Sequence, residues 1–147
     1  MRVAYEMKYC MKVAASATIH LVPYVSEYQE KYKRMYNDCY HDMREALQIE
    51  PYDFIQDDTF FDSGMDSVYL LFEAGELIGS VALKEDEIDD LLVARKYQGK
   101  GYGKQLLLWA IEHISAKHPV LHVAGWNERA VQLYKSVGFE IVNTIYF

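Results

Sequence analysis

Two cysteines, Cys10 and Cys39, are all that the 147 residues contain, too few for a disulfide framework and without metal-ligand spacing. The five histidines (His20, His41, His113, His118 and His122) form no ligand set, and no Ser-His-Asp or Cys-His arrangement supplies a nucleophile. Long apolar runs are missing as well: none approaches the ~18 to 20 residues of a membrane-spanning helix. Near the start, Arg2, Glu6, Lys8 and Lys12 interrupt any apolar core that a signal peptide would need. These absences lead to the expectation of a cytoplasmic chain with no metal and no membrane contact. Positive charge is short too, with 15 Lys and Arg against 22 Asp and Glu and a net charge of −7. Nucleic acid wants a basic face, so that class of partner is argued against. Repeats and low-complexity linkers are also lacking. Met7 and Met11 are alternative starts, which would leave residues 1–11 as a dispensable extension.

What is present fits one globular domain: apolar residues make up 51% and charged residues 25%, enough for a core and a solvated surface. Charge is unevenly spread. Residues 51–90 hold twelve acids against one base, Lys84, and the next stretch reverses this with Arg95, Lys96, Lys100 and Lys104 and no acid. Two solvated patches would look like this, and so would a protein that takes an anionic ligand and a cationic one side by side.

Periodicity places the elements. Residues 14–21 read as a first strand, and Ser26 as the N-cap of a helix that starts near Glu27 and continues, or is followed by a second, to about Gln48. Tyr28, Tyr32, Tyr36 and Tyr40 recur every four residues along it, a face that either packs on a sheet or lines a ligand pocket. Residues 51–66 read as a loop. Val68 to Glu73 and Glu76 to Leu83 form a hairpin through Ala74-Gly75, and Glu87 to Val93 a third strand. Leu106, Leu107, Ala110, Ile111 and Ile114 trace a buried helical stripe, followed by a short strand at Pro119 to Val123. Asn127 caps a further helix that ends at Gly138, with Ala130, Val131, Tyr134 and Val137 inward, and Ile141 to Phe147 is a last strand. The class is α+β: a mixed, mostly antiparallel central sheet flanked by helices.

Between the third strand and the stripe lies Gln98-Gly99-Lys100-Gly101-Tyr102-Gly103-Lys104. Its three alternate glycines allow consecutive amides to turn toward one anion, and the helix that follows points its positive dipole end at the same place. A dinucleotide fingerprint would need glycine at Lys104, and a Walker loop Ser or Thr at Gln105. The stretch resembles instead Q-x-x-G-x-G, the acyl-coenzyme A signature of the GNAT superfamily of N-acetyltransferases. Residues 127–139, from Asn127 through Ala130 and Tyr134 to Gly138-Phe139, resemble that family's second motif, N-x-x-A-x-x-x-Y-x-x-x-G-F. The likeness covers Leu77 to Phe139. One departure stands out, because the family normally ends in two strands after G-F and only eight residues follow Phe139. The last strand is missing, or the N-terminal segment or a partner chain covers that edge.

The resemblance implies acetyl-CoA as co-substrate, an amine acceptor, and direct transfer in a ternary complex. The backbone of Leu91, Leu92 and Val93 would hold the pantetheine arm, with an amide there polarising the thioester carbonyl. Gln98, Gly99, Lys100, Gly101, Tyr102, Gly103 and Lys104 would carry the pyrophosphate, with charge added by Arg95 or Lys96. Asn127 would cap its helix, touch the cofactor, or do both. Tyr134 aligns with a tyrosine that protonates the departing thiolate in many family members, or is a core residue. Asp89 and Asp90 fall where related enzymes carry an acidic pair; a regular strand points only one of them into the cleft, and Asp89, which shares a face with Glu87, is preferred as base or is simply an acidic strand entry. His122 is the alternative base. The acidic surface favours a cationic acceptor, and a homodimer is open. The rival readings are a non-catalytic acyl-CoA-binding module and a subunit of a larger acetyltransferase.

Overall fold

The computed structural model of the chain describes residues 2–11 and 16–147. Seven strands and three helices follow in the order β1 (Val3–Tyr9), β2 (Val22–Pro23), α1 (Gln29–Ala46), β3 (Val68–Glu73), β4 (Glu76–Lys84), β5 (Glu87–Val93), α2 (Tyr102–His113), β6 (Val120–Ala124), α3 (Glu128–Val137) and β7 (Phe139–Tyr146). They build one sheet in the order β2-β3-β4-β5-β6-β1-β7. It is mixed: β5 and β6 pair in parallel and every other neighbouring pair is antiparallel.

The β3–β4 turn uses Ala74 and Gly75, both at positive φ (50° and 78°), the left-handed pair that a tight two-residue hairpin requires. Side chains then alternate between two apolar layers. Leu70, Ala82 and Leu92 pack under α1 with Tyr32, Met35 and Tyr36. On the other face, Val81, Ile88 and Leu121 meet Leu107 and Ala110 of α2 and Val131 and Tyr134 of α3. The tyrosine face of α1 thus packs mainly on the sheet, with Tyr32 and Tyr36 buried.

The N-terminal segment enters the sheet between β6 and β7. β1 runs antiparallel to both neighbours, pairing Ala4–Lys8 with β6 and Val3–Tyr9 with β7. Its alternation of Val3, Tyr5, Met7 and Tyr9 against Glu6 and Lys8 is a strand pattern, and Met7 is fully buried. Burial of such a side chain is worth about 1.5–3 kcal/mol.

Two expectations are corrected. Residues 14 and 15 lie outside the described residues, but 16–21 form no strand, and the short β2 that follows stops at Pro23, which has no amide to donate. Ser26 does not cap α1. It opens a single 3-10 turn held by Tyr28 N donating to Val25 O (3.0 Å), and α1 then runs uninterrupted from Gln29 to Ala46 with no side-chain cap.

Candidate active site

The site grows out of a separation in the sheet. β5 and β6 pair only at Glu87 and Val120, where Val120 N donates to Asp86 O (2.8 Å), and then diverge. The cause lies partly in β5 itself. Ser80 pairs with Leu92 and Ala82 with Asp89, so two residue steps in β4 match three in β5, which is a bulge. Asp90 sits in it at φ 45°. A bulge re-aims side chains, and both Asp89 and Asp90 reach the cleft, where a regular strand would have sent one of them away.

Two cavities open along this gap. One of about 360 Å³ lies beside the glycine loop and the start of α2 and α3. The other, of about 310 Å³, lies under α1 and is lined by Asp89, Asp90, Tyr40, His122 and Trp126 among others. Leu91, Val93, Gln98, Asn127 and Tyr134 line both, so the two meet at one wall. Leu92 faces only the α1-side cavity.

The loop-side cavity gathers backbone amides and cations. Gly99 and Gly101 both have left-handed backbones (φ 78° and 90°), and Gly101 leads straight into α2. The first intrahelical bond is Gln105 N to Gly101 O (3.2 Å), which leaves the amides of Tyr102, Gly103 and Lys104 ahead of it without intrahelical partners. Gln98 anchors the loop, its Nε2 donating to Val93 O (3.0 Å). Lys104 and Arg129 line the cavity. Tyr102 lines it as well, with its hydroxyl donated to Glu73 Oε2 (2.7 Å). Lys100 stands over the Tyr97 ring at 5.7 Å, outside the lining. Arg95 and Lys96 are turned elsewhere: Arg95 reaches Asp42 (3.1 Å) and the Asp38 carbonyl, and Lys96 reaches Glu76 (3.3 Å).

The α1-side cavity is acidic. Lys84 donates to Asp89 Oδ2 (3.0 Å), and Asp89 Oδ1 accepts from the Asp90 amide (2.8 Å). Asp90 Oδ1 accepts from the hydroxyls of Tyr40 (2.8 Å) and Tyr36 (3.3 Å). Burial, and then the charge of Asp89, push the Asp90 carboxyl above the usual carboxylate range, while the two phenols and Lys84 hold it back. Burial, followed by Asp90, raises both phenols in turn. His122 lies at the rim with Nδ1 3.1 Å from Glu87 and Nε2 3.8 Å from Glu6.

On the shared wall, Tyr134 is 8% exposed and burial pushes its hydroxyl up to about 12, so it stays protonated across the neutral range. Asn127 Oδ1 caps α3 by accepting from Ala130 N (3.3 Å), and Gly138 ends it, its amide bonding back to Tyr134 O and Lys135 O (both 3.2 Å). The caps therefore fix where Tyr134 emerges. Sequence reasoning missed Arg129, Trp126, Met43 and Cys39 as lining residues; Arg129 alone had a signal, a cation in the first turn after the Asn127 cap. Among the described residues no group of His, Cys, Asp and Glu side chains could hold a metal ion, and no helix is long and apolar enough to cross a membrane.

The model of the acetyltransferase (GNAT) family matches residues 28–139. The chain belongs to the GNAT acetyltransferase family. Among solved structures it resembles an acetyltransferase of the GNAT family from Colwellia psychrerythraea at 12% identity and a TM-score of 0.77, covering 97% of this chain and 53% of that one. An N-acetyltransferase from Staphylococcus aureus is similar at 18% identity and a TM-score of 0.68, covering 87% and 94%. YjaB from Escherichia coli, in its apo form, is similar at 20% identity and a TM-score of 0.64, covering 82% of each. The chain spans between 48% and 61% of the length of the first four solved structures it matches. No curated protein matches it.

Proposed function

We propose that the chain moves the acetyl group of acetyl-CoA directly to a primary amine held in the same complex. The observation that carries this reading is the meeting of a cavity lined by amides and cations and an acidic cavity at Tyr134, Leu91 and Val93. The loop residues Gln98 to Lys104 fit a pyrophosphate, through the free amides at the start of α2 and the cations of Lys104, Arg129 and the nearby Lys100. The separated edge of Leu91, Leu92 and Val93 suits the pantetheine arm, and an amide there would polarise the thioester carbonyl. Asn127 sets the floor between the two ligands.

An amine of pKa ~10.4 is only about one part in a thousand neutral near physiological pH, a cost of ~4 kcal/mol. A base in the α1-side cavity would remove it. Sequence alone preferred Asp89, yet Lys84 already holds that carboxylate, and the half-buried Asp90, with its raised pKa, is the better proton acceptor. In the proposed step the ammonium proton passes to Asp90. The freed lone pair attacks the thioester carbon, the C–S bond breaks, the sulfur takes the Tyr134 hydroxyl proton, and the nitrogen gives up its second proton to solvent to leave the neutral amide. A thiolate whose acid has a reference pKa near ~8.5 is stabilised by that donor as it leaves. Solvent exchange restores both side chains. The test is thiol release from acetyl-CoA in the presence of an amine panel, with the product identified by mass. Amine-dependent release supports the reading; a folded chain that binds acetyl-CoA and releases no thiol with any amine would leave a binding module and overturn it.

A further inference from the structure

Charge in the α1-side cavity is of one kind. Its described lining includes Asp89, Asp90 and His122, and neither lysine nor arginine. Lys84, the base nearest these acids, holds Asp89 at 3.0 Å. Asp90 makes no ion pair among the described residues; both of its side-chain partners are phenols, and both lie on Oδ1. Oδ2 is thus left to receive a donor from the cavity, on a carboxylate that two tyrosines hold still and no cation contacts among the described residues.

Apart from Gln98 and Asn127 on the wall shared with the loop-side cavity, and the Cys39 thiol, the rest of the lining is apolar and aromatic. Tyr40, Met43, Ala4 and Ala124 surround the acids, and Trp126 stands at the mouth, 49% exposed. Exposed indole beside an anionic seat favours a cation or a flat apolar group, since the face of an aromatic ring attracts positive charge. At about 310 Å³ the cavity is at the small end of the range for ligand sites, about 300–1,000 Å³. At the rim, Glu6 and Glu87 flank the single imidazole of His122.

We propose that this cavity selects a compact primary amine with an apolar or aromatic body and no carboxylate beside the reacting nitrogen, seated on Asp90 as Tyr36 and Tyr40 hold it. This rests on the acetyltransferase reading above and narrows its acceptor. A free α-amino acid would bring its own carboxylate next to Asp89 and Asp90 with no arginine or lysine to meet it. Like charges so placed repel, and their desolvation is uncompensated.

Calorimetric titration of the chain saturated with coenzyme A tests it, with 2-phenylethylamine, phenylalanine, phenylalanine methyl ester and spermidine as probes. The expected order is 2-phenylethylamine and the ester tight, with phenylalanine and spermidine at least tenfold weaker. Asp90→Asn should weaken the amine at least tenfold and leave coenzyme A affinity unchanged. Phenylalanine or spermidine binding as well as 2-phenylethylamine would overturn the proposal, as would a chain that binds coenzyme A but none of these amines. A folded chain that fails to bind coenzyme A would instead remove the acetyltransferase reading, and this inference with it.

Discussion

Tyr40→Phe removes one hydroxyl and leaves the ring packed, so its effect isolates the hydrogen bond to Asp90. That bond is the shorter of the two, 2.8 Å against 3.3 Å from Tyr36. A hydrogen bond to a charged acceptor is worth about 1.5–3 kcal/mol, and 1.36 kcal/mol corresponds to one pH unit, so the acid limb of activity should move upward by roughly one to two pH units. The sign follows from what the bond does: it favours ionised Asp90, and without it only the longer Tyr36 bond and the charge of Lys84 oppose burial and Asp89. Tyr36→Phe should move the limb the same way by less. The assay is kcat/KM for the amine as a function of pH, with acetyl-CoA saturating. A uniform loss at every pH would mean that Tyr40 merely packs, and an unmoved limb in a folded variant would refute the role of Asp90 as proton acceptor. Stability gives an independent sign. Because the folded carboxyl is raised above its unfolded value, its contribution is present below the unfolded value of about 3.9 and is lost as pH rises through the folded one. Asp90→Asn should therefore raise the Tm at neutral pH while lowering turnover.

Tyr134→Phe should cut turnover by about 10²–10⁴, the usual worth of a positioned acid, with coenzyme A affinity unchanged by calorimetry. Arg129→Ala should weaken acetyl-CoA binding and flatten its dependence on salt, because the cation lines the loop-side cavity. Met7→Ala should destabilise by about 2–5 kcal/mol in denaturant melts, since a fully buried strand residue is truncated between β6 and β7. A chain begun at Met11 would lose β1 altogether, and an unchanged melt for it would contradict the placement of that strand.

The strands β3, β4 and β5 and both ends of α3 were legible because each is fixed locally: alternation bounded by Ala74-Gly75, a cap at Asn127, a glycine at 138. The glycine loop was legible for the same reason. β1 was not, although its alternation is plain in Val3, Tyr5, Met7 and Tyr9, because what makes it a sheet strand is pairing with β6 and β7, more than a hundred residues away. That Asp89 and Asp90 both reach the cleft was hidden for a different cause. A period of two holds only for a regular strand, and one extra residue opposite β4 brought both acids to the same cleft. Composition likewise could not show that Arg95 and Lys96 would be claimed by Asp42 and Glu76, leaving Lys104 and Arg129 to line the loop-side cavity. Tyr40 was visible as the end of a stripe, but its contact with Asp90 depends on how α1 crosses β5.

On the proposed function, the loop-side cavity is a coenzyme A site joined to an amine site at Tyr134. Thermal unfolding of the chain with acetyl-CoA, free coenzyme A and ATP tests it most directly. Ligand at a hundred times its dissociation constant adds about 2.7 kcal/mol, a rise of several degrees in Tm for a domain of this size. A rise with acetyl-CoA and coenzyme A but not with ATP is the predicted result; a folded chain whose Tm moves with none of them would contradict the account.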